Sequence, residues 1–397
     1  MQLDYDPEID TPATIAIIGG GSTGIEAATY ARFLGYSVEL YDAAKVGDSL
    51  VQWGDRPMHG SWQQLTSSLG LAAIEAHEHP LPDPQATPTY REYVDQYLLP
   101  LARTDLLYSS ITVHASVLSV CRLGCNPADE LTTEQRADQE FRLLATSEQR
   151  GQFTQVVDLV LDCSGSQSVR TGMASGGGEP IGWSQMGDRV RIGRRRVLTR
   201  EKELYSQKKV LLWGNDIAAA ANALDLNQLV KSSGTQLFWC VPKRLTSRST
   251  LIRQNCEPSP LSDEEIAAAE AIFREADGLN VVPLEAWGIE GLRDEAGKLV
   301  VTLQKTEDET LDFSVDEIIH CGALASELNY KHNLSLDLRE GSAFVTCEPH
   351  YYRLGVARTA SQLHPFEQIR EQIQQAFGMI GGRAELNLYQ TVRPQRP

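Results

Sequence analysis

Three glycines near the start of the chain stand at a spacing that is typical of phosphate binding. Gly19, Gly21 and Gly24 form a GxGxxG pattern after a short apolar run. The first glycine permits a tight turn, the second lets the backbone approach a pyrophosphate, and the third lets a helix pack on the strand. Ser22 and Thr23 then lie at the helix N-terminus, where free N–H groups and the helix dipole favour an anion.

A strand, a helix and a second strand must position these glycines. The apolar residues 15–18 are few enough for a buried parallel strand. Residues 38–41 predict the second strand, which ends at Asp42. An acid about 20 residues beyond such glycines accepts hydrogen bonds from a ribose diol. The order of these elements predicts a dinucleotide-binding unit, and it leaves the choice between NAD and FAD open because both share adenine, ribose and pyrophosphate.

Length and composition predict a soluble protein with two domains. A chain of 397 residues with 42% hydrophobic and 22% charged residues accommodates two Rossmann-type units. The net charge of −17 disfavours nucleic acid and anionic membrane as partners. No apolar run reaches the roughly 18 residues that span a bilayer, and the acidic N-terminus is unlike a signal peptide. Seven scattered cysteines indicate reduced thiols and a cytoplasmic location.

Three further segments have the pattern of Rossmann strands and turns. Residues 158–165 and 316–322 each form an apolar strand that ends in a small Cys and a Gly, and residues 209–226 form a second strand–turn–helix between them. With the first motif, this arrangement resembles the two-dinucleotide-binding-domain flavoproteins, which include flavin-containing monooxygenases and pyridine nucleotide-disulfide reductases. The resemblance covers nearly the whole chain.

The resemblance implies an α/β fold in which a Rossmann-like FAD-binding domain carries a second, degenerate Rossmann domain as an insertion. It places the FAD-binding domain at residues 11–170 and 324–397 and the inserted NAD(P)-binding-like domain at residues 171–323. FAD is then held by the first glycine motif and Asp42. Gly165, at the end of the exit strand, and Gly355, in the closing strand that begins at His350, are further cofactor-binding candidates.

The second Rossmann motif departs from the pattern at its second glycine. Gly214 takes the first glycine position, but Asp216 takes the second and Ala219 the third. Asp216 adds bulk and negative charge where a pyrophosphate would lie, and its alternative role is that of an N-cap for the following helix. NADPH is therefore possible but doubtful.

Basic residues keep NADPH in consideration. Lys243, Arg244 and Arg248 follow the strand 237–241, where relatives often place cations against a 2′-phosphate; the alternative is that they are merely solvated. The arginine-rich stretch 189–200 is predicted to be a solvated connecting segment, with contact to an anionic substrate or cofactor as the alternative.

The segment 45–62 resembles the stretch that faces the flavin ring in flavoprotein oxidoreductases. It contains Trp53, a candidate for cofactor binding, and Arg56 and His59, which are catalytic candidates because a cation stabilises reduced flavin and a histidine shuttles protons. His364 opens a helix that lies near the flavin in relatives and is a further candidate proton donor. The alternatives are a loop that only packs on the cofactor and a histidine that only starts a helix.

Four other patterns predict local structure. Residues 89–98 have the spacing of a helix, the segments 111–113 and 117–120 are predicted to be a strand pair, and residues 124–140 are predicted to be a hairpin loop. Ser262 with Glu265 predicts a capping box.

Three functions remain open from the sequence. The first is a FAD-dependent oxidoreductase or monooxygenase that uses NAD(P)H. The second is a flavin dehydrogenase or oxidase that its small-molecule substrate reduces directly. The third is a non-catalytic nucleotide-binding protein with a sensing role. The chain has no CxxC pair and no set of metal ligands at recognisable spacing, which disfavours dithiol chemistry and a metal site. The sequence carries no signal for the oligomeric state.

Overall fold

The computed structural model describes residues 7–126, 131–165, 169–170, 172–243, 251–253, 259–321, 324–325, 334–355, 364–392 and 394. The chain divides into two compact units. The first unit combines Met1–Ser168 with Glu327–Pro397, and the second unit is Val169–Ser326. The domain boundaries expected from the sequence lie between residues 170 and 171 and between residues 323 and 324.

A five-stranded parallel sheet lies at the centre of the first unit. Its strands, in spatial order, are β18 (Tyr351–Arg353), β7 (Leu159–Asp162), β1 (Thr14–Ile18), β2 (Ser37–Tyr41) and β3 (Ile111–Thr112). The predicted strands 15–18 and 38–41 are thus confirmed and are direct neighbours. Ile15 and Ile17 are fully buried, as expected for a parallel sheet that is covered on both faces.

The helix that follows the glycines is α1 (Ser22–Leu34), which ends at Gly35 in a left-handed conformation (φ 94°). The other helices of the first unit are α2 (Asp48–Val51), α3 (Trp62–Leu65), α4 (Ser68–Ala76), α5 (Tyr90–Tyr93), α6 (Leu99–Ala102), α7 (Thr133–Ala137), α12 (Pro365–Ile380) and α13 (Leu388–Thr391). A π-helical turn, Val94–Leu98, joins α5 to α6. The predicted helix 89–98 is confirmed, and its apolar face is buried.

The strands after residue 110 differ from the prediction. Segments 111–113 and 117–120 do not pair with each other: β3 is the edge of the parallel sheet, whereas β4 (Ala115–Arg122) joins β5 (Phe141–Ser147) and β6 (Gly151–Val157) in a separate antiparallel sheet. The predicted hairpin loop connects β4 to β5 and contains α7, which Thr132 and Gln135 cap. The prediction failed because these two segments, although they are neighbours in the sequence, pair with different strands in the structure.

A second five-stranded parallel sheet forms the second unit. Its strands, in spatial order, are β12 (Val281–Ala286), β11 (Gln236–Pro242), β10 (Lys209–Gly214), β16 (Glu317–Cys321) and β9 (Val190–Ile192). A three-stranded antiparallel sheet follows, made of β13 (Gly288–Glu295), β14 (Lys298–Gln304) and β15 (Thr310–Val315). The short strands β8 (Val169–Arg170) and β17 (Leu324–Ala325) pair where the chain enters and leaves the unit.

The principal helix of the second unit is α10 (Ile217–Ser233), against which α11 (Asp263–Arg274) packs. The capping box of Ser262 and Glu265 is present at the start of α11, as predicted. The remaining helices are α8 (Trp183–Met186), α9 (Lys202–Tyr205) and two 3₁₀ turns, Ser175–Gly177 and Gly187–Arg189.

The arginine-rich stretch 189–200 is not a solvated connection, so that prediction is wrong. It contributes the edge strand β9, and four of its arginines pair with carboxylates of the same unit: Arg189 with Asp294, Arg191 with Glu317, Arg194 with Asp225 and Arg195 with Glu201. These acids lie up to about 130 residues away in the sequence, so the local pattern could not reveal them. In the part of the chain that the structure describes, no helix is long and apolar enough to cross a bilayer.

Candidate functional site

Two of the three N-terminal glycines are required by packing inside the protein. Gly19 has φ 106°, and a Cβ added to it would lie 2.8 Å from the carbonyl oxygen of Cys163. A Cβ on Gly24 would lie 1.8 Å from the carbonyl oxygen of Gly19. Any larger residue at either position would therefore push α1 away from the strand ends.

Gly21 has no such internal reason to be glycine. Its backbone is extended (φ −75°, ψ −171°), and a Cβ added to it would meet no atom of the residues that the structure describes within 4 Å. The missing side chain leaves open space directly in front of α1. This space is where a bound group could come within contact distance of the backbone.

The N-terminus of α1 has donors to offer to such a group. Gly21 supplies no side-chain cap, and the first turn of α1 contains no acidic residue. The N–H groups of Ser22, Thr23 and Gly24 find no acceptor among the described residues, and the first helical hydrogen bond runs from Ile25 N to Gly21 O at 3.1 Å. Unsatisfied N–H groups and the positive end of the helix dipole together form an anion site.

Asp42 holds the glycine turn in place. Its Oδ2 accepts the N–H of Gly20 at 2.5 Å, and its Oδ1 accepts the N–H of Ala44 at 2.7 Å. A carboxylate has about four lone-pair sites, so both oxygens can still accept a hydroxyl group. Asp42 therefore lies beside the turn in a position that suits the predicted ribose contact.

The strand ends around α1 bring two more predicted residues to the same place. Gly355 follows β18 with φ 91°, and a Cβ there would lie 2.8 Å from the hydroxyl oxygen of Thr23 in the first turn of α1. Its N–H donates to Oε1 of Gln372 at 3.1 Å. Gly165 follows β7 with φ 73°, two residues after Cys163, which contacts Gly19. Gly355 thus brings a backbone segment without a side chain to the start of α1.

The segment 45–62 is tied to the glycine turn by its backbone. The N–H of Gly47 donates to Gly20 O at 3.0 Å. Further along, Trp53 packs on Tyr90 with the ring centroids 6.2 Å apart, and Arg56 O accepts the N–H of Tyr90 at 3.0 Å. The tryptophan and Arg56 are thereby held against α5.

The structure brings His59 and His364 together, but through a backbone atom. Nε2 of His364 lies 2.6 Å from the carbonyl oxygen of His59, and Nδ1 of His364 accepts the N–H of Phe366 at 3.4 Å. His364 is thus the N-cap of α12 and carries its proton on Nε2 when it is neutral. The His59 ring is exposed. The catalytic roles of Arg56, His59 and His364 stay predictions.

The glycine turn of the second unit has a similar backbone and a different side chain. Gly214 has φ 123°, and a Cβ there would lie 1.8 Å from the carbonyl oxygen of Cys321. Asp216 is only 3% exposed, and its Oδ1 accepts the N–H of Ala219 at 2.8 Å. The predicted N-cap role of Asp216 is confirmed. Lys243 is exposed, and Arg244 and Arg248 lie outside the described residues.

The sequence analysis missed a buried acid in the helix of the first site. Glu26 lies in the second turn of α1, accepts a hydrogen bond from the hydroxyl of Tyr97, and is fully enclosed. Burial raises the pKa of the Glu26 carboxyl above its ordinary value of 4.5. The sequence signal was its place in a segment whose surrounding residues are nearly all small or apolar, IEAATYA.

Comparison with solved structures finds the same fold in several enzymes. The bacillithiol disulfide reductase of Bacillus cereus matches with a TM-score of 0.59 and 12% identity, over 94% of this chain and 99% of that chain. The cadaverine monooxygenase of desferrioxamine biosynthesis from Erwinia amylovora matches with a TM-score of 0.54 and 13% identity, over 98% and 97%. The ornithine N-hydroxylase of Kutzneria sp. 744 matches with a TM-score of 0.54 and 13% identity, over 94% and 99%.

These likenesses confirm the predicted fold and the resemblance in fold to two-dinucleotide-binding-domain flavoproteins. At such low identity they concern the architecture alone. No protein-family model matches the chain, and no curated protein matches its sequence.

Proposed function

We propose that the first unit binds FAD and that the protein is a FAD-dependent oxidoreductase acting on a small molecule. The observation that carries the proposal is the open space at Gly21 in front of the uncapped N-terminus of α1. A pyrophosphate fits both features, since it needs backbone contact and unsatisfied N–H donors.

The residues around α1 supply the remaining contacts of such a cofactor. Asp42 accepts the ribose hydroxyl groups, and the backbone around Gly165 and Gly355 closes on the pyrophosphate without side chains. Among proteins of this fold, the Erwinia amylovora enzyme is bound to FAD and the Kutzneria enzyme was solved with reduced FAD. The neighbours support FAD as the cofactor, and the residues around α1 support the first unit as its place.

When bound, FAD supplies the redox chemistry by accepting two electrons from a donor and passing them to an acceptor. The chain's own residues hold the cofactor and the substrate in place and transfer protons. His364, whose ring contacts His59 O and Phe366 N, holds the segment 59–60 against α12. We therefore assign His364 a positioning role. Arg56 and His59 remain the candidates for charge stabilisation and proton transfer.

The neighbours and the absence of a CxxC pair support a small molecule as the proposed substrate class. The two hydroxylating neighbours are named for cadaverine and ornithine, which are small amines. The chain has no CxxC pair, so a small molecule is a better substrate than a protein disulfide that needs a dithiol relay. The cytoplasmic location also stays a prediction.

The proposal is tested by the visible absorption spectrum of the purified protein. We expect a flavin band, with FAD rather than FMN released on denaturation, and a higher melting temperature after FAD is added to stripped protein. A colourless protein that neither takes up FAD nor gains thermal stability from it would overturn the proposal. A flavin-bound protein with no redox turnover would leave the nucleotide-binding role and exclude the enzymatic one.

A further inference from the structure

We infer that the second unit binds no NAD(P)H pyrophosphate at its glycine turn, because the carboxylate of Asp216 already occupies the anion position of α10. The resemblance of the chain to two-dinucleotide flavoproteins implies NAD(P)H in this unit. The residues that are present do not fit that cofactor, and the misfit does not depend on the proposed FAD site.

The two glycine turns correspond residue by residue. Gly214 matches Gly19, since both have a positive φ and both lie against the carbonyl of a cysteine on the next strand. Asp216 then matches Gly21, and their backbones are nearly alike, with φ and ψ of −87° and −179° against −75° and −171°. The turns differ in the side chain and not in the path of the backbone.

The side chain of Asp216 fills the space in front of α10 that corresponds to the open space at Gly21 in front of α1. Its Oδ1 accepts the N–H of Ala219 at 2.8 Å, and Ala219 corresponds to Gly24, whose N–H has no acceptor among the described residues. A phosphate at this place would have to displace a carboxylate that is 3% exposed. It would also face that negative charge at short range.

A second departure lies at the end of the neighbouring strand. In the first unit Ile18, next to Gly19, pairs with Tyr41, so Asp42 follows. In the second unit Trp213, next to Gly214, pairs with Cys240, so Val241 stands where the ribose acid would be. The Val241 side chain cannot accept a ribose hydroxyl, which argues against NADH; the 2′-phosphate of NADPH needs no acid at this position, so the case against NADPH rests on Asp216.

Asn215, between Gly214 and Asp216, is hydrogen-bonded to a segment that we call the strap, residues 251–253. Nδ2 of Asn215 donates to Leu251 O at 2.9 Å, and the N–H of Arg253 donates to Asn215 O at 2.6 Å. Among the described residues of the first unit, one comparable bond is formed, from Gly47 N to Gly20 O. The second tie, through the Asn215 side chain, is specific to the second unit.

The strap is also held from its other side. Oε1 of Glu270 in α11 accepts the N–H groups of Leu251 and Ile252 at 2.8 and 3.1 Å. The Ile252 side chain is 2% exposed. The turn is therefore fixed in the arrangement that keeps Asp216 over the helix N-terminus.

The test is calorimetric titration of the flavin-loaded protein with NADPH and with NADH, joined to hydrogen exchange of the α10 amides. We expect no saturable binding to the wild-type protein and no protection of α10. Asp216→Gly copies the first unit and is a tolerated N-cap, so we expect it to gain saturable NADPH binding, with a Kd at least about tenfold below the highest NADPH concentration that leaves the wild-type protein unsaturated. Asp216→Asn keeps a capping side chain but removes its charge. Comparing NADPH binding by this variant and by Asp216→Gly therefore separates the effect of charge repulsion from the effect of side-chain bulk.

Two results would overturn the inference. One is saturable NADPH binding by the wild-type protein that protects the first turn of α10. The other is an Asp216→Gly variant that keeps the wild-type melting behaviour and binds NADPH no better than wild type. Hydrogen exchange assigns any bound NADPH to α10, whereas FAD uptake is read separately from the flavin absorbance, so a failure here is distinguishable from a failure of FAD to bind in the first unit.

Discussion

Gly21 and Asp216 occupy corresponding positions at the starts of α1 and α10, the two principal Rossmann helices. Both follow a glycine with positive φ that packs on a cysteine carbonyl, and both have an extended backbone. In the first unit the helix N-terminus faces open space, whereas in the second it is covered by a carboxylate from the chain itself. The same turn geometry thus accommodates a helix N-terminus without a side-chain cap and one that a carboxylate caps, and the residue at this one position makes the difference.

The two helices also differ one turn further on. Glu26 in α1 corresponds to Ala221 in α10, and both positions are buried. The first helix therefore carries an ionisable group in its core, where the second carries a methyl group. Burial raises the pKa of the Glu26 carboxyl, so the ionisation of this buried group in α1 lowers the free energy of unfolding.

The largest effect is expected when Gly21 in the first turn is replaced by the aspartate that the second turn has at position 216. Gly21→Asp places a carboxylate within reach of the Gly24 N–H and in front of α1. We expect FAD affinity to fall at least about 100-fold because the carboxylate repels the pyrophosphate and takes its donors. Fluorescence titration with FAD measures this loss.

A matched control is available in the second unit. Gly178 has nearly the same backbone as Gly21 (φ −76°, ψ 174°), and a Cβ there also meets no atom within 4 Å in the described parts of the chain. We expect Gly178→Asp to leave FAD affinity unchanged. Undiminished flavin binding by Gly21→Asp would contradict the assignment of the site.

A smaller effect is expected from exchanging the third residue of the motif. Gly24→Ala puts a Cβ where it would lie 1.8 Å from Gly19 O, although the second unit has Ala219 at the matching position. We expect α1 to shift and the free energy of unfolding to fall by about 1–3 kcal/mol. Chemical denaturation of the FAD-free protein checks this, with Gly21→Ala as the control that meets no atom. Equal stability of the two variants would argue against the tight packing of α1.

The smallest effect concerns the buried acid. Because burial raises the pKa of Glu26, the folded chain holds this proton more tightly than the unfolded chain does. The stability that the protonated Glu26 contributes is therefore fully present below its ordinary pKa of 4.5. It is lost as the pH rises through the folded pKa, by up to about 1.4 kcal/mol per pH unit.

Glu26→Gln removes this loss and keeps an oxygen that accepts from Tyr97. We expect the variant to have the same melting temperature as wild type at acidic pH and a higher melting temperature than wild type near neutral pH. Melting curves across the pH range measure the gap, and two curves that stay parallel at every pH would rule out a titrating Glu26.

Features that depend on neighbouring residues could be predicted from the sequence. The Asp216 cap and the Ser262–Glu265 box each join residues three positions apart, and the strands 15–18 and 38–41 follow from short apolar runs. The glycines of the first turn were predictable for the same reason, because their spacing is local.

Features that depend on distant residues could not be predicted. The partner of Arg194 is Asp225 in α10, and Arg122 pairs with Glu348, 226 residues away, with both side chains fully buried. The partner strand of β4 was missed for this reason, and so was the strap beside Asn215. These contacts exist only after the chain has folded, so no local pattern encodes them.

The position of β18 has a consequence for how the chain is made. This strand lies beside β7 in the first sheet, yet ribosomes add it only after all of Val169–Ser326 has been synthesised. The second unit is continuous in sequence and can fold as it emerges, because domains fold as units during synthesis. The first unit must wait for its edge strand, for Gly355 and for α12. A nascent chain can therefore complete its inserted unit before the unit that carries the open helix terminus is able to capture a cofactor.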